Sequence, residues 1–207
     1  MGRRSDAAER LVSAMAGLVH QRGYLAVGVD DICKAAGVKK GSFYHFFASK
    51  RELMLAALEH HGQMGKEHLV AASFTAAEPP LRRIERMFET AGRVEASRKT
   101  RGGRVLGCPF GNLAAEVAGS EPILTKRVDE LLGKFSESVR DALREAKRTG
   151  DVPRNLDVGK ATDAILAYFE GVLLLAKTRN DPSLIRRVAP LAVQLAKQPH
   201  RCMPATP

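Results

Sequence analysis

The stretch Lys39-Lys-Gly-Ser-Phe-Tyr-His-Phe-Phe-Ala-Ser-Lys50 gathers Lys39, Lys40, Ser42, Tyr44, His45 and Lys50 into twelve residues. Ammonium, hydroxyl and imidazole groups at that density are donors for phosphate oxygens and base edges. A second stretch, Gly107-Cys-Pro-Phe-Gly-Asn-Leu-Ala-Ala-Glu-Val117, carries a single thiol ahead of a proline. Pro109 suits the first position of a helix, which makes Cys108 its N-cap. The positive helix end, with Arg104 close in sequence, would lower the thiol pKa and raise its reactivity; an inert cap is the plainer reading of the same residues. Catalytic patterns are missing: there is no GxSxG elbow, HExxH, Walker loop or dinucleotide fingerprint, so the chain does not read as an enzyme and implies no cofactor. His60, His61 and His68 raise a metal sensor, but nothing nearby completes a ligand set, so solvated histidines and no metal are expected.

The elements that must hold these groups are helices. Leu11, Val12, Met15, Leu18 and Val19 recur at spacings of three and four, so Ser5 to Arg22 reads as an amphipathic helix ended by Gly23. Asp30 to Ala36 makes a second, short helix stopped by Gly37, and Gly41 to Phe47 a third. Ile32, Ala36, Val38 and Phe43 sit where two such helices touch around the turn, the grammar of a helix-turn-helix over Val29 to Phe47. Phe43, Phe46 and Phe47 are core residues at helical spacing, and Cys33 is a small buried apolar one. Ser49-Lys-Arg-Glu52 reads as a capping box opening a long fourth helix to about Ala72.

Beyond Pro79-Pro80 a helix from Leu81 to Ala96 is expected to run into a flexible linker, Arg98 to Arg104. A short helix from Pro109, a long one from Pro122 to Thr149, and two more near Val158 to Thr178 and Pro182 to Lys197 complete the chain, the last bent at Pro190. The expected fold is all-α, with about nine helices. Residues 1–50 form the helix-turn-helix domain and residues 51–207 an effector-binding and dimerisation domain. The Val158 helix is apolar nearly all round in its second half, so it must be buried on more than one side, and with the last helix it offers a four-helix homodimer interface. Met87, Phe88, Phe110, Phe135 and Tyr168 are candidates to line an effector pocket among the helices from Leu81 to Lys177.

Composition is consistent with this. The formal net charge of +10 suggests an anionic partner. Residues 1–70 hold only ten basic against seven acidic side chains. Much of the excess lies instead among Arg82, Arg83, Arg86, Arg93, Arg98, Lys99, Arg101 and Arg104, read as a solvated face. Cys33, Cys108 and Cys202 lie far apart with no CxxC pair, against both a disulfide framework and a zinc finger. No membrane-spanning run or signal core is present, which points to a cytoplasmic protein.

The first 55 or so residues resemble the DNA-binding domain of TetR-family regulators, and the helical remainder is similar in length and layout. The motif Lys40-Gly-Ser-Phe-Tyr-His-Phe-Phe-Ala-Ser-Lys50, with Gly41 inside it, matches that family's recognition helix and following lysine. The resemblance implies that Tyr44 and Lys50 contact phosphates of a double-stranded operator while Lys39, Lys40, Ser42 and His45 approach the groove. It implies a homodimer, repression as the default, and release by a small-molecule effector; a metal-responsive or constitutive DNA binder is the alternative. Where many members carry two threonines before the second helix this chain has Val27 and Gly28, so a hydroxyl contact is lost. The Cys108 segment is similar to the Gly-Cys-x-x-x-x-Leu-x-x-Glu stretch of the NemR-like, electrophile-responsive branch, in which a lysine placed as Lys177 is here partners the cysteine.

Overall fold

The computed structural model describes residues 2–197; Cys202 lies outside them. Among the described residues every regular element is helical. Two compact units form, each drawn from two stretches of chain: residues 1–66 with 106–133, and residues 67–105 with 134–207. These are packing units, cut differently from the division of roles expected at residue 50.

The N-terminal unit is built on α1 (Gly2–Arg22), α2 (Val29–Ala36), α3 (Lys40–Phe46), α4 (Lys50–Gly65), α7 (Pro109–Val117) and the first half of α8 (Pro122–Thr149). Leu11, Met15 and Val19 repeat every fourth residue along α1 and are buried, so one stripe of that helix faces the core. They meet Ile32, Phe43, Leu53, Met54 and Leu58, together with Leu113 and Val117 of α7 and Leu124 and Val128 of α8. Burying a side chain of this size stabilises by about 1.5–3 kcal/mol.

The C-terminal unit holds α5 (Ala71–Ser73), which follows a single π-helical turn at Lys66–Val70, then α6 (Pro80–Gly102), the second half of α8, α9 (Val158–Arg179), α10 (Ser183–Arg187) and α11 (Ala189–Lys197). Its core is formed by Ile84, Met87, Phe88, Leu143, Ile165, Phe169, Leu173 and Ile185. α6 and α10 approach so closely that a Cβ at Gly92 would lie 2.6 Å from Arg186 Cγ.

Two sequence expectations are corrected here. The segment from Arg98 is not a flexible linker: α6 continues through it to Gly102. Arg98 pairs with Glu95, and Lys99 Nζ donates to the Asn180 carbonyl at 2.7 Å. Asn180, closing α9 in the left-handed conformation at φ 49°, accepts from Val105 N at 2.9 Å and donates to Gly103 O at 3.1 Å. The turn after α6 is thereby fastened by three bonds. Nor does Pro190 bend the last helix. The break falls at Val188, between α10 and α11, and Pro190 is the second residue of α11, where the missing N–H costs no helical bond.

The basic run of α6 is an ion-paired face. Arg82 reaches Glu85 and Glu89, Arg86 reaches Glu78, and Arg83 grips Glu145 of α8 bidentately at 2.7 and 3.3 Å. Arg93 donates to Thr90 Oγ1 and Arg101 to Ser97 O.

Candidate nucleic-acid interface

The α2–α3 corner is set by local chemistry. The Asp31 carboxylate accepts from Gly28 N at 3.0 Å, which ties off the start of α2. Gly37 ends that helix at φ 62°, a conformation that costs glycine little, and Val38 N returns to Cys33 O at 2.9 Å. The chain then turns straight into α3. Phe43 is fully buried, with Tyr44 edge-to-face at 5.1 Å and Phe47 at 6.3 Å, and it anchors α3 against the core. Phe46 and Phe47 are half-buried against the same core, and Cys33 is buried, as their spacing and type required.

With Phe43 and Phe46 against the core, the other side chains of α3 point out. Lys39, Lys40, Gly41, Ser42, Tyr44 and His45 are all exposed, Tyr44 at 55%. Lys50 differs. It is half-buried, its Nζ donates to the Tyr24 carbonyl at 2.6 Å and lies 4.1 Å from the centre of the Tyr24 ring. Burial pushes its pKa down, opposed by the carboxylates of Glu116 and Glu121. Lys40 is also engaged: Asp30 pairs with its ammonium at 2.9 Å, and that bond raises its pKa. Asp30 was invisible to sequence reasoning, because nothing in a ten-residue spacing across a turn announces a pair. Val27, where a threonine was missed, is buried.

The capping box is rearranged by one residue. Ser49 Oγ accepts from Glu52 N at 3.1 Å as expected, but Glu52 reaches past the cap to Ala48 N at 2.7 Å.

Cys108 is the N-cap of α7, half-buried, with its sulfur 3.5 Å from Gly111 N and Pro109 at the first helical position. The rest of that motif faces the N-terminal unit's interior: Leu113 is buried and Glu116 Oε2 accepts from Leu25 N at 3.0 Å. Phe110 packs on the same core, its ring 6.4 Å from His61. His60 and His68 are exposed, while His61 is half-buried and sits edge-to-face with His20 at 5.6 Å, its Nε2 3.3 Å from Ala16 O. Among the described residues no group of three or more His, Cys, Asp or Glu side chains is placed to hold a metal ion.

In the C-terminal unit Phe88 and Tyr168 are brought together at 5.7 Å, with Phe169 5.0 Å from Phe88 and Phe135 5.7 Å from Phe169. Phe88 and Met87 are fully buried, while Tyr168 donates to Val188 O at 3.2 Å. Lys177 is exposed near the end of α9. No helix among the described residues is long and apolar enough to cross a membrane.

A buried aromatic anchor behind an exposed row of donors, on the second helix of a tight helical corner, defines a helix-turn-helix. Residues 11–57 match the family described as bacterial regulatory proteins, tetR family, and residues 80–191 match the tetracyclin repressor-like C-terminal domain. The chain belongs to the TetR family of transcriptional regulators: it is a DNA-binding regulator, not an enzyme. It is 33% identical over 171 residues to the transcriptional regulator AcuR of Cereibacter sphaeroides, covering 81% of this chain and 76% of that one. Over a shorter span of 56 residues, 27% of this chain and 28% of the other, it is 43% identical to the HTH-type transcriptional repressor NemR of Escherichia coli. The crystal structure of regulatory protein TetR from Rhodobacter sphaeroides superposes with a TM-score of 0.80 at 28% identity, covering 91% of this chain and 98% of that one.

Proposed function

We propose that this regulator is a homodimeric repressor that binds a palindromic operator through α3 and is released by a small-molecule effector or electrophile. The observation that carries the DNA-reading part is the split of α3 into a fully buried Phe43 and an exposed face of Lys39, Lys40, Ser42, Tyr44 and His45. In this reading Tyr44 and Lys50 hold phosphates, while Lys39, Lys40, Ser42 and His45 enter the groove, and Gly41 lets the helix start approach the backbone closely.

The dimer reading is supported by apolar side chains that α9 and α11 leave in water: Leu174 is 60%, Leu175 45% and Leu191 56% exposed. A second copy related by a two-fold axis covers such a patch with itself and doubles the reading head. On the effector side, Cys108 is the thiol for an electrophile. Phe88 and Tyr168 are candidates for contact with a reversible ligand within the C-terminal unit. Phe88 is packed as core, so a ligand reaching it has to displace its ring neighbours.

The test is footprinting on the DNA flanking the regulator's own gene, joined to sedimentation of wild type and Leu174→Glu/Leu191→Glu. Protection of an inverted repeat, with half-sites about one and a half helical turns or more apart, is expected. The charged double variant should sediment as a monomer and lose that footprint. Uniform protection of unrelated sequences, or a double variant that remains dimeric, would overturn the proposal.

A further inference from the structure

We propose that Glu116 is a positioning residue for DNA binding: through the Tyr24–Leu25 peptide group it holds the Lys50 ammonium where it grips an operator phosphate. The inference rests on the phosphate role proposed for Lys50.

The geometry begins at the end of α1. Gly23 stops that helix at φ 91°, and a Cβ there would lie 2.6 Å from Glu116 Oε1, so the carboxylate of α7 is seated directly against the backbone of the turn. Its other oxygen accepts from Leu25 N at 3.0 Å. The carbonyl of that same peptide group, Tyr24 O, accepts from Lys50 Nζ at 2.6 Å. A trans peptide is planar and carries its N–H and C=O on opposite edges. Glu116 and Lys50 therefore hold one rigid plate from its two sides. While Glu116 keeps the N–H, the carbonyl direction is fixed, and with it the position of the ammonium.

One further contact makes this a site of pre-organisation. The Tyr24 ring is buried and lies under the Lys50 ammonium, so the stem is confined on a second side. An ammonium has three N–H donors, and the bond to Tyr24 O leaves two for a phosphate. Part of the rotamer freedom that lysine loses on binding is surrendered before DNA arrives, which favours the complex. Hydrogen-bonded in series, the carboxylate, peptide and ammonium polarise one another in the same sense. Glu116 lies outside the helix-turn-helix, on a helix whose N-cap is Cys108, so this contact gives α7 a direct hold on an operator-facing group.

The experiment measures operator affinity across a salt titration for wild type, Lys50→Ala, Glu116→Ala, Glu116→Gln and the Lys50→Ala/Glu116→Ala double variant, with thermal melts in parallel. Glu116→Ala should lose roughly tenfold in affinity, the scale of one charge-assisted hydrogen bond, and lower the salt slope by up to about 0.9, as Lys50→Ala does. Glu116→Gln keeps an acceptor for Leu25 N and should bind within about twofold of wild type, a rescue that a purely electrostatic role would not give. The double variant should bind no more weakly than Lys50→Ala, because the two residues act on one contact. If Lys50→Ala leaves affinity and slope unchanged, the phosphate reading of Lys50 itself fails. If Lys50→Ala weakens binding while folded Glu116→Ala binds as wild type, or the two losses multiply, the role of Glu116 is overturned and that of Lys50 stands. Should Glu116→Ala fail to fold, Glu116→Asp carries the same comparison, since it keeps the charge and loses the reach.

Discussion

His20 Nε2 lies 2.8 Å from the carbonyl oxygen of Gly107, joining the last turn of α1 to the residue before Cys108. Both residues are buried. A carbonyl only accepts, so Nε2 carries the proton in this contact. His20→Ala removes the donor and the edge-to-face contact with His61, and should lower stability by about 1–3 kcal/mol. Chemical denaturation of the two proteins at one pH measures it. An unchanged midpoint would show that the bond contributes nothing net.

Asp30 neutralises part of the charge that Lys40 would bring to DNA. Its carboxylate is exposed at the α2–α3 corner, so the pair contributes little to stability. Asp30→Asn should therefore leave the melting temperature almost unchanged. It should tighten binding to nonspecific duplex by about two- to threefold and steepen the salt dependence, because Lys40 then displaces a counterion more fully. Titration of a random duplex at two salt concentrations decides it, and weaker binding by the variant would sink the idea.

Asp31 supplies a pH dependence with a definite sign. The bond from Gly28 N, and then the Arg22 guanidinium, hold its carboxyl below the ordinary value. A folded pKa below the unfolded one means that the unfolded chain binds more protons in acid, so this contribution is present above about pH 3.9 and is lost as pH falls through the folded pKa. Asp31→Asn keeps an acceptor for Gly28 N but cannot titrate. The melting temperatures of wild type and variant should differ most near neutrality and converge as pH falls below about 4. Parallel profiles would mean that Asp31 titrates alike in both states.

What the sequence discloses follows the range of the interactions. The corner from Val29 to Phe47 was legible because its signals are local: Gly37 needs a positive φ, Phe43 recurs with Ile32 and Leu53, and the donors are contiguous. The Asp30–Lys40 pair and the Glu116–Leu25 bond were not, since they join residues 10 and 91 apart that neither pattern nor propensity connects. The same limit explains the expected linker at Arg98 to Arg104. Paired glycines and like charges read as loop, but Asn180, 77 residues beyond Gly103, satisfies that turn, and Glu95 pairs with Arg98. Glu52 reaching Ala48 rather than its own cap shows a smaller miss of the same origin, a side chain long enough to choose between adjacent amides.

The proposed sensor role of Cys108 turns on how its cap differs from an ordinary one. The thiol accepts from Gly111 N at 3.5 Å at the start of a nine-residue helix and is half-buried. Cys33, by contrast, is buried, and burial pushes its pKa up. A small maleimide or quinone should therefore label Cys108 faster than Cys33 at neutral pH. An adduct on the sulfur competes with its contact to Gly111 N and should displace the first turn of a helix that also carries Leu113 in the core and Glu116 against Leu25 N. Displacing α7 loosens the turn that positions Lys50, so labelled wild type should release operator DNA. Serine is itself a good N-cap, so Cys108→Ser should fold and bind DNA normally yet resist release. The comparison takes wild type, Cys33→Ser, Cys108→Ser and Cys202→Ser through electrophile treatment, with DNA release and thiol labelling rates followed together. If Cys108→Ser is released as readily as wild type, or if Cys108 labels no faster than Cys202, the cysteine is only a cap and the effector is a reversible ligand.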